Sequence, residues 1–576
     1  MARTGDFRPR VACFPHSRTT ILHSHPWRTC WLVALLGFAA VRVVQAQVPP
    51  APPAATIFTN IPNIDKGYGV GGRDSGLSVK IGTNCCYLFG DTMLTQANAQ
   101  GSSWVVNTMY HTPNTNGDTG VSGGYNWLTS NTPPLQFIPY TPDESNWNAT
   151  NANHVVYGVF SISQFYSPGD GNQYITIEKT IEQNGGATSL GGGLAICPTN
   201  PITGSPSRVE SRPGNAEPYL MWDESEGEWG DMCVTMSNYV YFYWVQGQNY
   251  GGLCVARASL LGSPPAFLAV TNWTYWDGTT WVTNNPSVAA ILFYDAGDGT
   301  IDWNAFLTNG SGGRGCYLFT YLFWVSTEIY TRASSDLVHW SAPTLQYTIP
   351  FDYPIGDFPY NARAQKCLEK NNGQTVYISW SMPCTNIPDQ NIEMLKAQFP
   401  LANPAFSGLT ASQSISYGAS NITLRGTVSA NGAYPACGEP IIVTINGNAQ
   451  STAVNDSTGD FSINYNPSTL PASGSPYTIA YSYAGDGWLN PTANASTTLT
   501  VISTPLIQTV MQAGSSFTFS WSTLTNQTYR IQATASLDPA NWTDLGGTIT
   551  ATNSTMTISE GISTNSQQFY RVVLLP

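Results

Sequence analysis

Short apolar runs broken by Gly, Asn and Asp recur across residues 57–400. Examples are CYLFGD (86–91), HVVYGVFSI (154–162), YVYFYWV (239–245), GCYLFTYLFWV (315–325) and TVYISWSM (375–382). They return at intervals of several tens of residues, and no long stretch keeps a 3.6-residue period. Strands spaced in this way predict a closed or radial all-β fold. Two segments read as the same blade edge repeated: CVARAS (254–259) and IYTRASSDLVHWS (329–341), the second adding a strand-turn-strand with Trp340 as a plug. A five-bladed β-propeller is the economical reading, and a two-sheet sandwich is the alternative.

After about residue 405 the pattern becomes a clean alternation, in NITLRGTVSA, EPIIVTINGN, GDFSINYN, YTIAYSYAGDG and STTLTVIS. One polar and one apolar face per strand predicts a two-sheet sandwich. A last segment, with FTFSWST, TYRIQATASL and FYRVVLLP, predicts a further small sandwich ending in a buried strand. The expected fold class is therefore all-β: a five-bladed β-propeller followed by two β-sandwich domains. The expected layout is 1–46 signal peptide, 47–56 Pro-rich spacer, 57–404 propeller, 405–503 first sandwich and 504–576 second sandwich.

Composition sharpens this picture. The chain has 576 residues, of which 10% are charged and 12% aromatic. Disordered chains lack such aromatic content. Acidic residues outnumber basic ones 35 to 22, giving a formal charge of -13. Nucleic-acid binding would need a basic face, so no nucleic-acid partner is expected. Aromatic platforms with few charges suit a carbohydrate, because sugar C–H faces stack on rings.

Arg28, the apolar run WLVALLGFAA (31–40) and VQAQ, with cleavage after Ala46, read as an export signal. The alternative is a retained N-terminal anchor. The expected location is secreted or at the cell surface. Of the 11 Cys, Cys13 and Cys30 fall in this leader, and an odd nine remain. Export permits disulfides, with at least one thiol left over. Cys85 and Cys86, adjacent on a strand, point to opposite faces, one to the core and the other available for a disulfide. His111, His154 and His339 are far apart and no CxxC occurs, so neither a zinc site nor a cofactor is expected. No phosphate loop of the Gly-Lys-Ser/Thr type occurs in the sequence either.

SGLSVKIGTNCCYLFGDT (75–92), EWGDMCVTMSNYVYFYW (228–244), NWTYWDGTTW (272–281) and the RASSDLVHWS segment together cover most of region 57–400. In combination they resemble the five-bladed propellers of the family of endo-D-arabinanases. That resemblance implies glycoside hydrolysis of an arabinofuranose-type polysaccharide, with catalytic aspartates at Asp74 and Asp91. Residues 417–501 resemble bacterial Ig-like repeats. The tail is similar to terminal domains of exported planctomycete-type proteins. Both imply display or cell-surface attachment of a catalytic domain, which is expected as a monomer.

Furanoside hydrolysis needs two carboxyl groups in different environments, one protonated and one ionised. Asp74 lies in VGGRDSGLS, and Asp91 closes the apolar run YLFGDT; a hairpin would set both at one mouth. Thr92 is placed to orient Asp91. The bland reading makes both turn-shaping residues. Asp231 in EWGDM repeats the Gly-Asp pair. Glu217 in NAEPYLMW sits among apolar neighbours that would raise its pKa and suit it to donate a proton. Candidate substrate-binding residues are Asn107, Trp229, Arg257, Trp276 and Arg332; the alternative for each is a brace or plug within a blade. Asp223, Glu224, Glu226 and Glu228 read as a solvated acidic loop, with a weak Ca²⁺ site as the lesser reading. Tyr294, Asp295 and Asp298 read as a surface loop. The rival functions are a non-catalytic glycan-binding propeller and a surface adhesion protein.

Overall fold

The computed structural model describes residues 48–575 except 62–63, 65–66, 82, 128–131, 152–154, 184–185, 198–203, 247–250, 312, 324–325, 352–357, 383–390 and 563–566. The leader, Gln47, His154 and Cys384 lie outside the described residues. Among those described, no helix is long and apolar enough to cross a membrane.

One compact unit ends at Pro400. It holds five antiparallel sheets in chain order. The first blade runs outward from Val70–Ile81 through Asn84–Leu94 and Thr108–Thr112 to Tyr125–Asn126. The second contains Val155–Ser167, Asn172–Gln183 and Gly186–Cys197. The third contains Met232–Met236, Tyr239–Gln246, Gly252–Ser259, Thr274–Trp276 and Trp281–Thr283. The fourth contains Gly299–Thr308, Arg314–Leu322, Glu328–Ser334 and Thr344–Thr348. The fifth contains Tyr360–Ala364, Thr375–Met382 and Asn391–Gln398. Its outer strand is Ile57–Ile61, which pairs antiparallel with Asn391–Gln398. The start of the propeller thus completes its last blade and ties the two ends of the ring together.

The apolar runs of the sequence are the strands whose two faces pack on neighbouring blades. Cys86, Leu88, Val159, Ile175 and Cys197 fill the space between the first and second blades. Trp222, Trp229, Phe242 and Trp273 fill that between the second and third. Tyr243, Phe319 and Leu337 join the third to the fourth, with Trp340 packed against them. Edge-to-face pairs such as Trp222–Trp273 at 5.0 Å each add about 0.5–1.5 kcal/mol beyond their buried area. The two Arg-Ala-Ser segments occupy equivalent third strands, each paired on both sides, and are not blade edges. Cys85 and Cys86 do face opposite ways, but both are buried thiols: Cys85 packs with Cys367, and Cys86 with Cys197.

A short helix, Pro142–Asn151, opens with reciprocal bonds between Thr141 and Glu144 at 2.9 and 3.2 Å, a capping box with Pro in its first turn.

A second unit begins at Leu401. Its first sandwich packs the sheet of Ala405–Ser407, Ile422–Ser429 and Asp460–Tyr465 on a five-stranded sheet, around a core that includes Leu424, Ile441, Phe461 and Tyr481. The last sandwich centres on Phe519, Trp521, Tyr529 and Ile531. Its final strand, Phe569–Leu574, is half-buried at most positions.

Candidate active site

Asp74 lies within the innermost strand of the first blade, Val70–Ile81, and not in a loop ahead of it. The ladder to Asn84–Leu94 breaks register between Arg73 and Ser75 and again between Ser75 and Leu77. Ser75 has φ +67° and Gly76 φ +97°. Such a bulge re-aims a side chain at the cost of ladder bonds. The fifth blade supplies the missing partners. The Ser75 amide donates to Ser381 Oγ at 2.9 Å, the Ser78 amide to Gln365 Oε1 at 3.0 Å, and Gln365 Nε2 donates to the Gly76 carbonyl at 2.6 Å. Asn361, itself at φ +54°, donates from Nδ2 to Ser75 Oγ at 3.2 Å. The Tyr360 hydroxyl donates to Asp74 Oδ2 at 3.0 Å.

Asp91 sits on the second strand, Asn84–Leu94, which runs past it to Leu94. It therefore does not end its strand, and the strand is not the innermost one. Asp91 and Asp74 share a hairpin, with Gly90 facing the Asp74 carboxyl so closely that a Cβ there would lie 2.5 Å from Oδ1. The glycine of YLFGDT is a requirement for that approach. Thr92 donates to the Gly90 carbonyl at 3.1 Å and so braces the backbone, not the Asp91 carboxyl.

A cavity of about 470 Å³ lies where the inner strands meet. Asp74, Asp231, Asp298 and Glu178 line it from four blades, with Glu224 and Glu228, the rings of Phe160 and Trp244, and Arg363 from the fifth. Asp91, the residue after Gly90, is not among the lining residues. The Gly-Asp pair at 230–231 opens the third blade: Gly230 takes φ +116°, and the Gly230 and Asp231 amides both donate to the Tyr243 carbonyl at 3.0 and 3.1 Å. Asp231 Oδ2 accepts from the Val245 amide at 2.9 Å. Asp298 holds the matching place, one residue ahead of Gly299–Thr308. It is half-buried in the cavity wall, not on a surface loop.

Burial governs the electrostatics. Desolvation pushes the Asp74 carboxyl up to about 6, opposed by the Tyr360 hydrogen bond and the Arg363 charge. Asp91 goes higher, to about 8, through desolvation and then the negative charges of Asp74 and Glu182. Asp231 is raised well above its ordinary range by burial and by Asp298. Glu178 is pushed up to about 7 by burial and then by Glu228. Half-buried carboxyls with separated affinities for a proton are what acid–base chemistry needs.

The other sequence candidates stand elsewhere. Glu217 does not line the cavity; it pairs with Lys179 at 2.5 Å, in a network that continues through Glu144 at 3.2 Å to Arg208 at 3.3 Å. Asn107 is fully buried as a brace: Nδ2 donates to the Val159 carbonyl at 2.6 Å and Oδ1 accepts from the Ile138 amide at 2.7 Å. Trp229 is a buried plug whose Nε1 donates to the Glu226 carbonyl at 2.8 Å. Arg257 lies over the Trp281 ring at 4.1 Å, and Trp276 packs on Trp281 at 5.4 Å. Arg332 is buried over Phe293 and donates to the Ser341 carbonyl at 2.9 Å. None of these five lines the cavity. Within the acidic loop, Asp223 and Glu226 engage Arg212, whereas Glu224 and Glu228 reach the cavity. Among the described residues, no three His, Cys, Asp or Glu side chains converge as a metal site.

Glu178, Trp244, Tyr360 and Arg363 were not marked by the sequence, and Asp298 was read there as a surface-loop residue. Asp298 had one available signal, the Gly that follows it at the start of a strand, mirroring the Gly before Asp231.

No protein-family model matches the chain, and no curated protein matches it. Among solved structures, the chain is similar to an alpha-L-arabinofuranosidase from Clostridium thermocellum ATCC 27405, with 12% identity and a TM-score of 0.27 over 54% of this chain and 82% of that one. It is also similar to a Bombyx mori beta-fructofuranosidase, with 8% identity and a TM-score of 0.30 over 75% of this chain and 87% of that one. At these scores the likeness carries no argument, and the five-bladed propeller rests on the chain's own strand pairing.

Proposed function

We propose that the chain is a glycoside hydrolase acting on an arabinofuranose-type polysaccharide, similar to endo-D-arabinanases. The observation that carries this reading is the Asp74–Asp91 hairpin, which lines the axial cavity through Asp74 and Gly90. One carboxyl is held toward its anion by Tyr360 and Arg363, and the other is held protonated by burial and neighbouring negative charge. In this reading Asp74 is the ionised partner that attacks carbon or activates water. Asp91 gives its proton to the leaving oxygen. Trp244 and Phe160 offer apolar faces to a furanose ring.

A second reading of the acid has its own support: Asp231 lines the same cavity as Asp74, and Asp91 does not. Asp231 is then the proton donor. The sandwiches from Leu401 onward are read as attachment modules of an exported monomer, the first of them Ig-like.

The test is incubation of the full chain with a panel of arabinans and arabinogalactans, following oligosaccharide release. Loss of about 100- to 10,000-fold is expected for Asp74→Asn. The same loss in Asp91→Asn, with Asp231→Asn less affected, selects the first reading of the acid; the reverse selects the second. Turnover surviving in Asp74→Asn rejects the mechanism. A native chain that binds these glycans without cleaving them is a binding propeller.

A further inference from the structure

The innermost strand of the fifth blade, Tyr360–Ala364, reaches two other blades through consecutive side chains. Tyr360 holds Asp74 and Asn361 holds Ser75, both in the first blade. Arg363 turns to the fourth: its Nη1 donates to the Gly299 carbonyl at 3.0 Å, and the next amide, Ala364, donates to Thr300 Oγ1 at 2.9 Å. Gly299 directly follows Asp298. The ladder breaks register between Tyr360 and Arg363, with Asn361 at φ +54°, which lets neighbouring side chains diverge in this way.

Arg363 is 3% exposed and, among the described residues, is the one cation lining a cavity that also holds Asp74, Asp231 and Asp298. Its Nε is buried without a hydrogen-bond partner. A guanidinium keeps its charge when buried, so several carboxylates draw on one fixed positive charge.

We propose that Arg363 is a positioning residue shared by Asp74 and Asp298, so that Asp298, a residue of another blade, sets how much of that charge Asp74 receives. The proposal rests on the reading of Asp74 as the ionised partner. The groups facing Asp74 are Tyr360, Arg363, Asp91 and Glu182. Asp298, Asp231 and Asp74 line the same cavity as Arg363, and their charges and the Cys233 thiol act on it. Asp298 also acts on Asp231 and Glu178. Asp74 is thus tied to Asp298 through the guanidinium they share.

The experiment follows the Asp74 carboxyl by carbon NMR in full-length protein labelled at aspartate, with the resonance identified by its loss in Asp74→Asn. Arg363→Gln keeps a donor for the Gly299 carbonyl but removes the charge. It is expected to raise the Asp74 titration by about one to three pH units. Arg363→Lys is expected to restore most of that shift. Asp298→Asn frees the guanidinium and is expected to lower the Asp74 titration, an effect that disappears in the double variant with Arg363→Gln.

An unmoved Asp74 in folded Arg363→Gln overturns the proposal. So does an Asp298→Asn shift that persists without Arg363, because direct repulsion then explains it. Should Arg363→Gln fail to fold, Arg363→Met, uncharged and of similar length, replaces it in both the single and the double variant, with the same two overturning results. Because the titration is read without substrate, failure of the glycosidase reading would show as absent turnover with the shifts intact.

Discussion

The Tyr360 hydroxyl donates a hydrogen bond to Asp74 Oδ2 at 3.0 Å, joining residues 286 positions apart. The bond favours the ionised carboxyl in a place where burial favours the neutral one. Asp91, its hairpin neighbour, is raised further by burial and by the charges of Asp74 and Glu182. The pair therefore titrates in two steps, near 6 and near 8. A bell-shaped kcat/KM profile with its maximum between those limbs is expected. In Tyr360→Phe the acid limb should move up by about one pH unit or more, since a hydrogen bond to a charged group contributes about 1.5–3 kcal/mol. A pH–rate profile checks both the shape and the direction.

Gly90 should not tolerate a methyl group. A Cβ would meet Asp74 Oδ1 at 2.5 Å, against backbone that Thr92 already fixes. The carboxyl must then swing away from its Tyr360 contact. Gly90→Ala is expected to lower kcat about 100-fold, the scale of a misplacement near 1 Å. Its thermal midpoint should stay close to that of the native protein. Kinetics and a melting curve on the same preparation separate the two effects.

Asp231 should weaken the fold as pH rises. Its native carboxyl holds a proton well above the ordinary value of 3.8, so the folded state keeps a proton that the unfolded chain has released. The stability this adds is complete below the unfolded value and is lost as pH climbs toward the native one. Asp231→Asn retains an oxygen for the Val245 amide and removes the buried charge. A midpoint gain of about 2–4 °C per kcal/mol recovered is expected at pH 8, and none at pH 4. Calorimetry at the two pH values is the check, and an equal gain at both would refute the account.

Asn107 should act on stability and not on substrate. Asn107→Ala strands the Val159 carbonyl and the Ile138 amide inside the propeller. Each unpaired group costs about 1–3 kcal/mol. A lower unfolding midpoint in denaturant is expected, with KM unchanged for the fraction that remains folded.

Much of this molecule is local and therefore legible. The apolar runs became the blade strands, and the strict alternation after residue 405 became sheets with one wet face, as in Asp460–Tyr465, where exposed and buried residues alternate. The Asp74–Asp91 neighbourhood was readable because two Asp seventeen positions apart fit one hairpin. Thr141-Pro142-Asp143-Glu144 carried a capping signature that the absence of long helical periodicity concealed.

What escaped the sequence depends on closure. Trp229 and Trp244 share one aromatic-rich stretch, yet Trp229 plugs a blade and Trp244 faces the cavity. Glu217 sits among apolar letters, yet the fold gives it Lys179. Asp298 looks like a loop residue until the fourth blade turns it inward beside Arg363. The sequence by itself determined the strands, their faces and one carboxylate hairpin, because those follow from periods of a few residues. Only the tertiary structure decided which charges share a cavity: ring closure seats Ile57–Ile61 on the last blade, and desolvation is set by whatever distant strands then come together around each carboxyl.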